Sequence, residues 1–248
     1  MAIIKRPISG KGVAPTVPGP SVRPKDAATL IIVRKDGPKP RVLMGKRHQA
    51  HAFMPNIFVF PGGRIDLADS RVKPADSLHP DVVSKLMARM RGHASPLRAQ
   101  ALAMAAVRET FEETGLIIGR KSEGPGSSVH PDWNHFLETG MRPCLEPMRY
   151  IARAITPPGR PRRFDSRFFV IDAEHVQNLE SPIGVKTEEL LEINWLTIEE
   201  TKELDLAWIT RQVLKALDRQ LHTPDGLKPG NPVIFQYQLR KNWHEDIL

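Results

Sequence analysis

The run Arg108-Glu109-Thr110-Phe111-Glu112-Glu113-Thr114-Gly115-Leu116 constrains this chain more than any other nine residues. Residues 97–114 are rich in Ala, Leu, Met, Arg and Glu, all good helix formers. Ser95-Pro96 supplies an N-cap and a first-turn proline, and Gly115 a residue suited to the left-handed conformation that ends a helix. The spacing therefore predicts one helix that closes at Gly115. At about 100° per residue, Glu109, Glu112 and Glu113 share one face of it. Three like charges so close destabilise a helix unless a cation compensates them. Two readings stay open on this segment alone: a solvated acidic face, or ligands for a hard divalent ion such as Mg²⁺ or Mn²⁺, which prefers carboxylate oxygen.

The upstream segment Phe60-Pro61-Gly62-Gly63-Arg64-Ile65-Asp66-Leu67-Ala68-Asp69 tips the balance. Together the two segments resemble the Nudix box of pyrophosphohydrolases. That pattern is a Gly, five residues, a Glu, seven residues, then Arg-Glu-apolar-x-Glu-Glu-x-Gly-apolar. Gly63 fits its opening glycine, and Arg108, Glu109, Glu112, Glu113, Gly115 and Leu116 fit its second half. Three departures stand out. Asp69 occupies the position of the first Glu, Thr110 replaces an apolar residue, and 38 residues separate Asp69 from Arg108 where the family has seven. The resemblance implies an α/β fold, the Nudix α/β/α sandwich with a central mixed sheet, carrying a helical insertion within the box.

The resemblance also implies a site. Glu112 and Glu113 would be the main ligands of Mg²⁺ or Mn²⁺, with Glu109 a further ligand or base and Asp69 ligating through water. Arg108 would orient a box carboxylate, and these four, Arg108 with Glu109, Glu112 and Glu113, are the catalytic candidates. Gly62 and Gly63 allow a tight turn and a close approach of backbone N–H groups to phosphate. Glu188 and Glu189 sit where some members of the family carry a loop base; surface charge is the other reading of that pair.

Composition sets the remaining bounds. At 248 residues with a net charge of +8, the chain can bury a sizeable core as one domain with additions. The basic balance suits a polyanionic small molecule as well as a merely solvated surface. Few aromatics and no zinc spacing argue against nucleic acid as a partner. The single cysteine, Cys144, excludes an intramolecular disulfide framework. With no long apolar stretch, a cytoplasmic protein without membrane contact is expected. A homodimer is left open.

Residues 1–26, with five prolines, three glycines and a basic excess, read as a flexible tail, and residues 27–248 as the Nudix domain with residues 70–95 inserted. Strands are expected at 27–34, 41–47, 116–118, 149–155, 167–171, 191–196 and 233–239. Helices are expected at 82–90, 132–139 and 206–221, and Thr197-Ile198-Glu199-Glu200 has the form of a capping box.

Beyond the box, Arg47, Phe53-Met54-Pro55-Asn56, Ile155-Thr156-Pro157 and residues 163–169 resemble the Nudix branch that contains peroxisomal coenzyme A diphosphatases, and the likeness spans roughly residues 27–240. The C-terminal Asp246-Ile247-Leu248 departs from that branch's Ser-Lys-Leu address. The branch implies coenzyme A or an acyl derivative as substrate, with Arg47, Arg163 and Arg167 contacting phosphates; ADP-ribose, nucleotide sugars or dinucleotides are the alternatives. A nucleotide-sensing module without catalysis is the rival from another class, disfavoured by the intact Arg108, Glu109, Glu112 and Glu113.

Overall fold

The computed structural model describes residues 2–4, 22–49, 56–124, 126–184 and 189–248. In chain order its elements are β1 (Ala2–Ile4), β2 (Lys25–Arg34), β3 (Arg41–Arg47), β4 (Phe58–Val59), β5 (Gly62–Arg64), α1 (Pro80–Met87), α2 (Pro96–Thr114), β6 (Gly119–Lys121), α3 (Pro131–Glu138), β7 (Met141–Pro143), β8 (Arg149–Ile155), β9 (Phe164–Asp172), β10 (Leu190–Thr197), α4 (Trp208–Leu221), β11 (Ile234–Leu239) and β12 (Asn242–Ile247). The main sheet runs β1-β12-β11-β8-β9-β2-β3-β10. It is mixed: β2 pairs parallel to β9 and β11 parallel to β8, the other neighbours being antiparallel.

Alternation along β2 divides the core in two. Ala28, Leu30 and Ile32 join the cluster under α1, α2 and α3, whereas Ile31 and Val33 join the cluster under α4. Side chains of successive residues leave a strand on opposite faces, so an almost continuous apolar run is what a strand covered on both sides requires. The α/β/α sandwich expected from the sequence is therefore present. No helix among the described residues is long and apolar enough to cross a membrane.

Several expected boundaries recur in the structure. Ser95 accepts the Arg98 amide at 3.3 Å as N-cap of α2, Pro96 follows, and Gly115 ends the helix at φ 69°. Inside the insertion, α1 spans Pro80–Met87. Thr197 and Glu200 bond reciprocally, as a capping box does, and open a short 3-10 turn, with α4 starting only at Trp208.

Other expectations change. Ala2–Ile4 pairs with β12 as an edge strand, and residues 5–21, most of the expected tail, lie outside the described residues. Leu116, Ile117 and Ile118 are buried but form only one bridge, Ile118 to Val176, because the Asn178 side chain takes the Ile117 amide at 2.8 Å. Strand β12 has no herald in the sequence. Its hairpin with β11 turns on Arg240 and Lys241, both at positive φ, where glycine or asparagine is the usual signal.

One feature of the sheet positions the glycine turn. β2 and β3 pair only at Val33–Val42 and Arg34–Arg41, then diverge. Into the fork come β4, paired to β3, and β5, paired to β2. The glycine turn is thereby wedged between two central strands at their open end, and the C-terminal half of α2 lies across it.

Candidate active site

The two halves of the box meet across that fork. The Gly62 amide donates to the Glu113 carboxylate at 2.9 Å. A methyl group built on Gly63 would sit 2.3 Å from the Glu109 carboxyl carbon, so any side chain here would displace that carboxylate. The insertion thus leaves the box assembled, its two ends returning to one place.

Arg108 is the hub of the assembly. It is almost wholly buried, and its partner Asp69 is entirely so. Arg108 Nε and Nη2 donate to the two oxygens of Asp69 at 2.8 and 3.1 Å, Nη2 also reaches the Arg64 carbonyl at 2.9 Å, and Nη1 reaches Glu109 at 3.0 Å and Glu112 at 2.7 Å. Asp69 accepts two further bonds, from the Asp66 amide and from the Trp133 indole, each at 2.7 Å. Two carboxylate oxygens offer about four acceptor directions, and here N–H groups occupy them. The expectation that Asp69 contributes to a metal through water is therefore corrected: Asp69 is turned onto Arg108 and has no lone pair left for it.

The electrostatics are those of an anionic site that Arg108 and Arg47 compensate only in part. Burial pushes the Glu109 carboxyl up to about 7, the Arg108 charge opposing and the Glu112 and Glu189 charges adding to the shift. Glu113 is raised well above the usual range, first by burial and then by Glu109, with the Gly62 amide and Arg47 acting against this. Glu112 is raised by burial, against the pull of Arg108. Burial would weaken the Arg108 cation, but its bonds to Asp69 and the surrounding carboxylates reverse this and raise its pKa.

Among the described residues no three His, Cys, Asp or Glu side chains form a ready-made cation cage, since Glu109 and Glu112 are turned onto Arg108 and Glu113 onto Gly62. The donor chemistry nonetheless fits a hard divalent cation: three oxygen donors on one helix face, each held back from ionising by burial.

The site opens into a cleft of about 1270 Å³ whose lining includes Glu109, Glu112 and Glu189 together with Lys25, Arg160, Arg162 and Arg163. Arg47 borders it as well; burial lowers its pKa while Glu113, Glu189 and Glu109 pull the other way. Glu189 is exposed, and its carbonyl accepts the His48 amide at 3.2 Å. Glu188 lies outside the described residues.

Of the arginines expected to hold phosphate, Arg163 lines the cleft but spends Nε on the Thr156 carbonyl at 2.9 Å and Nη1 on the Val22 carbonyl at 2.8 Å. Arg167 is a correction. It is fully buried and donates to Asp26 and to the Asp165 carbonyl, both at 2.6 Å. The reason is strand alternation: Phe164, Ser166 and Phe168 line the cleft, so Arg167 leaves β9 on the opposite face. That periodicity was readable in the sequence.

Two residues without a sequence signal also reach the site. Trp133 binds Asp69, and His130, just before α3, lines the cleft with its ring 3.5 Å from Asp132 and 4.0 Å from Asp66. A tryptophan on the buried side of an amphipathic helix reads as core, and only the tertiary contact reveals its polar partner.

No family model matches the chain. A curated Caenorhabditis elegans protein named "Putative nudix hydrolase 7" is 28% identical over 187 residues, 71% of this chain and 52% of that protein. The chain therefore spans about half the length of this relative. Among solved structures, a NUDIX hydrolase from Alicyclobacillus acidocaldarius is 28% identical and superposes with a TM-score of 0.54, covering 78% of this chain and 90% of that one. The chain has the Nudix fold, and its box, its architecture and these relatives together support its place in the Nudix hydrolase superfamily.

Proposed function

We propose that this protein hydrolyses the diphosphate linkage of a nucleoside diphosphate derivative, using Mg²⁺ or Mn²⁺ held by Glu109, Glu112 and Glu113. The observation that carries this reading is the buried carboxylate cluster, backed by Gly62–Gly63 and opening into a cleft whose lining also includes Lys25, Arg160, Arg162 and Arg163. When bound, a divalent ion of this kind supplies charge neutralisation at the phosphoryl oxygens and a more acidic water. The chain's own residues do the rest. Arg108, braced by Asp69, fixes the rotamers of Glu109 and Glu112. Glu113 is oriented by the Gly62 amide, and Glu109, which lines the cleft, would act as a further ligand or as the base that takes a proton from water. Glu189, within electrostatic reach of Glu109 and Glu113, is the second candidate for that proton. Arg47 and the arginines of the 160–163 loop would steer and hold phosphates.

Coenzyme A and acyl-CoA are our first substrates, cut at the diphosphate to give 3′,5′-ADP and a 4′-phosphopantetheine product. Arg160, Arg162 and Arg163 would meet the extra 3′-phosphate. ADP-ribose, nucleotide sugars and dinucleotides are the alternatives. A panel of these compounds with Mg²⁺ or Mn²⁺, with products identified by mass, tests the proposal. Cleavage at the diphosphate supports it. Tight nucleotide binding without turnover on any of them replaces it with a sensing role.

A further inference from the structure

Asp69 is shorter than glutamate by one methylene, yet it meets Arg108 with both oxygens. Its Oδ1 also accepts the indole Nε1 of Trp133, fully buried on α3, at 2.7 Å, so a longer carboxylate here would press on that ring. Trp133 is itself locked: its ring meets Phe136 edge-on at 5.5 Å, and Phe136 meets Phe111 of α2 edge-on at 5.1 Å. We propose that Trp133 is a positioning residue of the carboxylate site, acting through Asp69 and Arg108 on Glu109 and Glu112. The chain of bonds is continuous, from the indole to Asp69, from Asp69 to Arg108, and from Arg108 Nη1 to both glutamates. A helix downstream of the box thereby sets the geometry of the box. Outer partners of this kind keep ligands in the rotamer that binds, and losing one costs roughly 10–100-fold in metal affinity or activity. This inference rests on reading Glu109, Glu112 and Glu113 as a cation site.

The test is a double-mutant cycle on the full chain, read by Mg²⁺ titration calorimetry and by the NMR signal of the Trp133 indole N–H. Asp69→Glu restores the residue type usual in the Nudix box, yet it should weaken Mg²⁺ binding, because the added methylene has no room against the indole. Trp133→Phe, which removes the N–H and part of the ring, should weaken Mg²⁺ binding by roughly 10-fold or more. The double variant should recover most of that loss, since a longer carboxylate occupies the vacated space. In the unsubstituted protein the indole N–H should exchange slowly, and its signal should move when Mg²⁺ is added. Losses that simply add would show Trp133 and Asp69 to be uncoupled and would overturn the relay. Unchanged Mg²⁺ affinity in folded Trp133→Phe overturns it too. If Trp133→Phe does not fold, Asp69→Glu alone decides, and Mg²⁺ binding equal to or tighter than that of the unsubstituted protein rejects the relay. An unsubstituted protein that binds no divalent cation overturns the cation site and the relay together; cation binding with an unmoved indole signal overturns the relay alone.

Discussion

Replacing Glu109 by Gln should stabilise the cation-free protein, and should do so only at high pH. Glu109 is mostly buried beside Glu112 and Gly63, and burial pushes its carboxyl up to about 7 from the ordinary 4.5. The folded state therefore holds this proton more tightly than the unfolded chain does. With a raised carboxylate pKa, stability is lost as pH rises from about 4.5 through about 7, the reverse of the usual salt-bridged acid. Integrated over that window, the charged carboxylate costs the fold about 3 kcal/mol at pH 8 and less than about 1 kcal/mol at pH 5. Glutamine keeps the shape and the acceptor for Arg108 without the charge. Urea unfolding with a chelator present should show the variant more stable than the parent by about 3 kcal/mol at pH 8, with the difference nearly closed at pH 5. Thermal unfolding at pH 8 should rise by about 6–12 °C. Saturating Mg²⁺ should narrow the gap, because it stabilises the parent more than the variant. A variant less stable than its parent at pH 8, or an offset equal at both pH values, would refute the burial argument.

Glu112→Gln and Glu113→Gln should each lower kcat by about 100-fold or more while circular dichroism and unfolding midpoints stay at or above those of the parent; near-normal turnover at saturating Mg²⁺ would make the cluster structural. Arg153 and Asp165 form a bidentate pair, each 1% exposed, that also ties the end of α1 through the Ala88 and Arg89 carbonyls. Asp165→Ala should therefore cost about 3–5 kcal/mol in urea unfolding. Comparing coenzyme A with its 3′-dephospho form separates the arginines: Arg160→Ala or Arg162→Ala should lower kcat/KM only for coenzyme A, whereas Arg167→Ala, which leaves Asp26 to Arg98 and Asp165 to Arg153 alone, should lower stability and leave the ratio of the two substrates unchanged.

Local chemistry alone makes much of this protein legible. The N-cap at Ser95, the αL residue at Gly115 and the 3.6-residue period place Glu109, Glu112 and Glu113 together on α2, because a helix is built from interactions within four residues. The same holds for β2, whose apolar run suits a strand covered on both faces. Tertiary structure decided what depends on residues far apart. The fork between β2 and β3 brings Gly63 to Glu109, and nothing local to either predicts where strands diverge. Asp69 fits the box by spacing, yet its commitment to Arg108, Asp66 and Trp133 follows from a 38-residue excursion and a later helix packing back on it. Arg167 carries the right charge for a phosphate and sits on the wrong face of β9 for one, paired instead with Asp26 at 2.6 Å. Period and capping are properties of the chain's near neighbours, so sequence alone determines them; which donor a buried carboxylate meets is a property of packing, and only the assembled layers settle it.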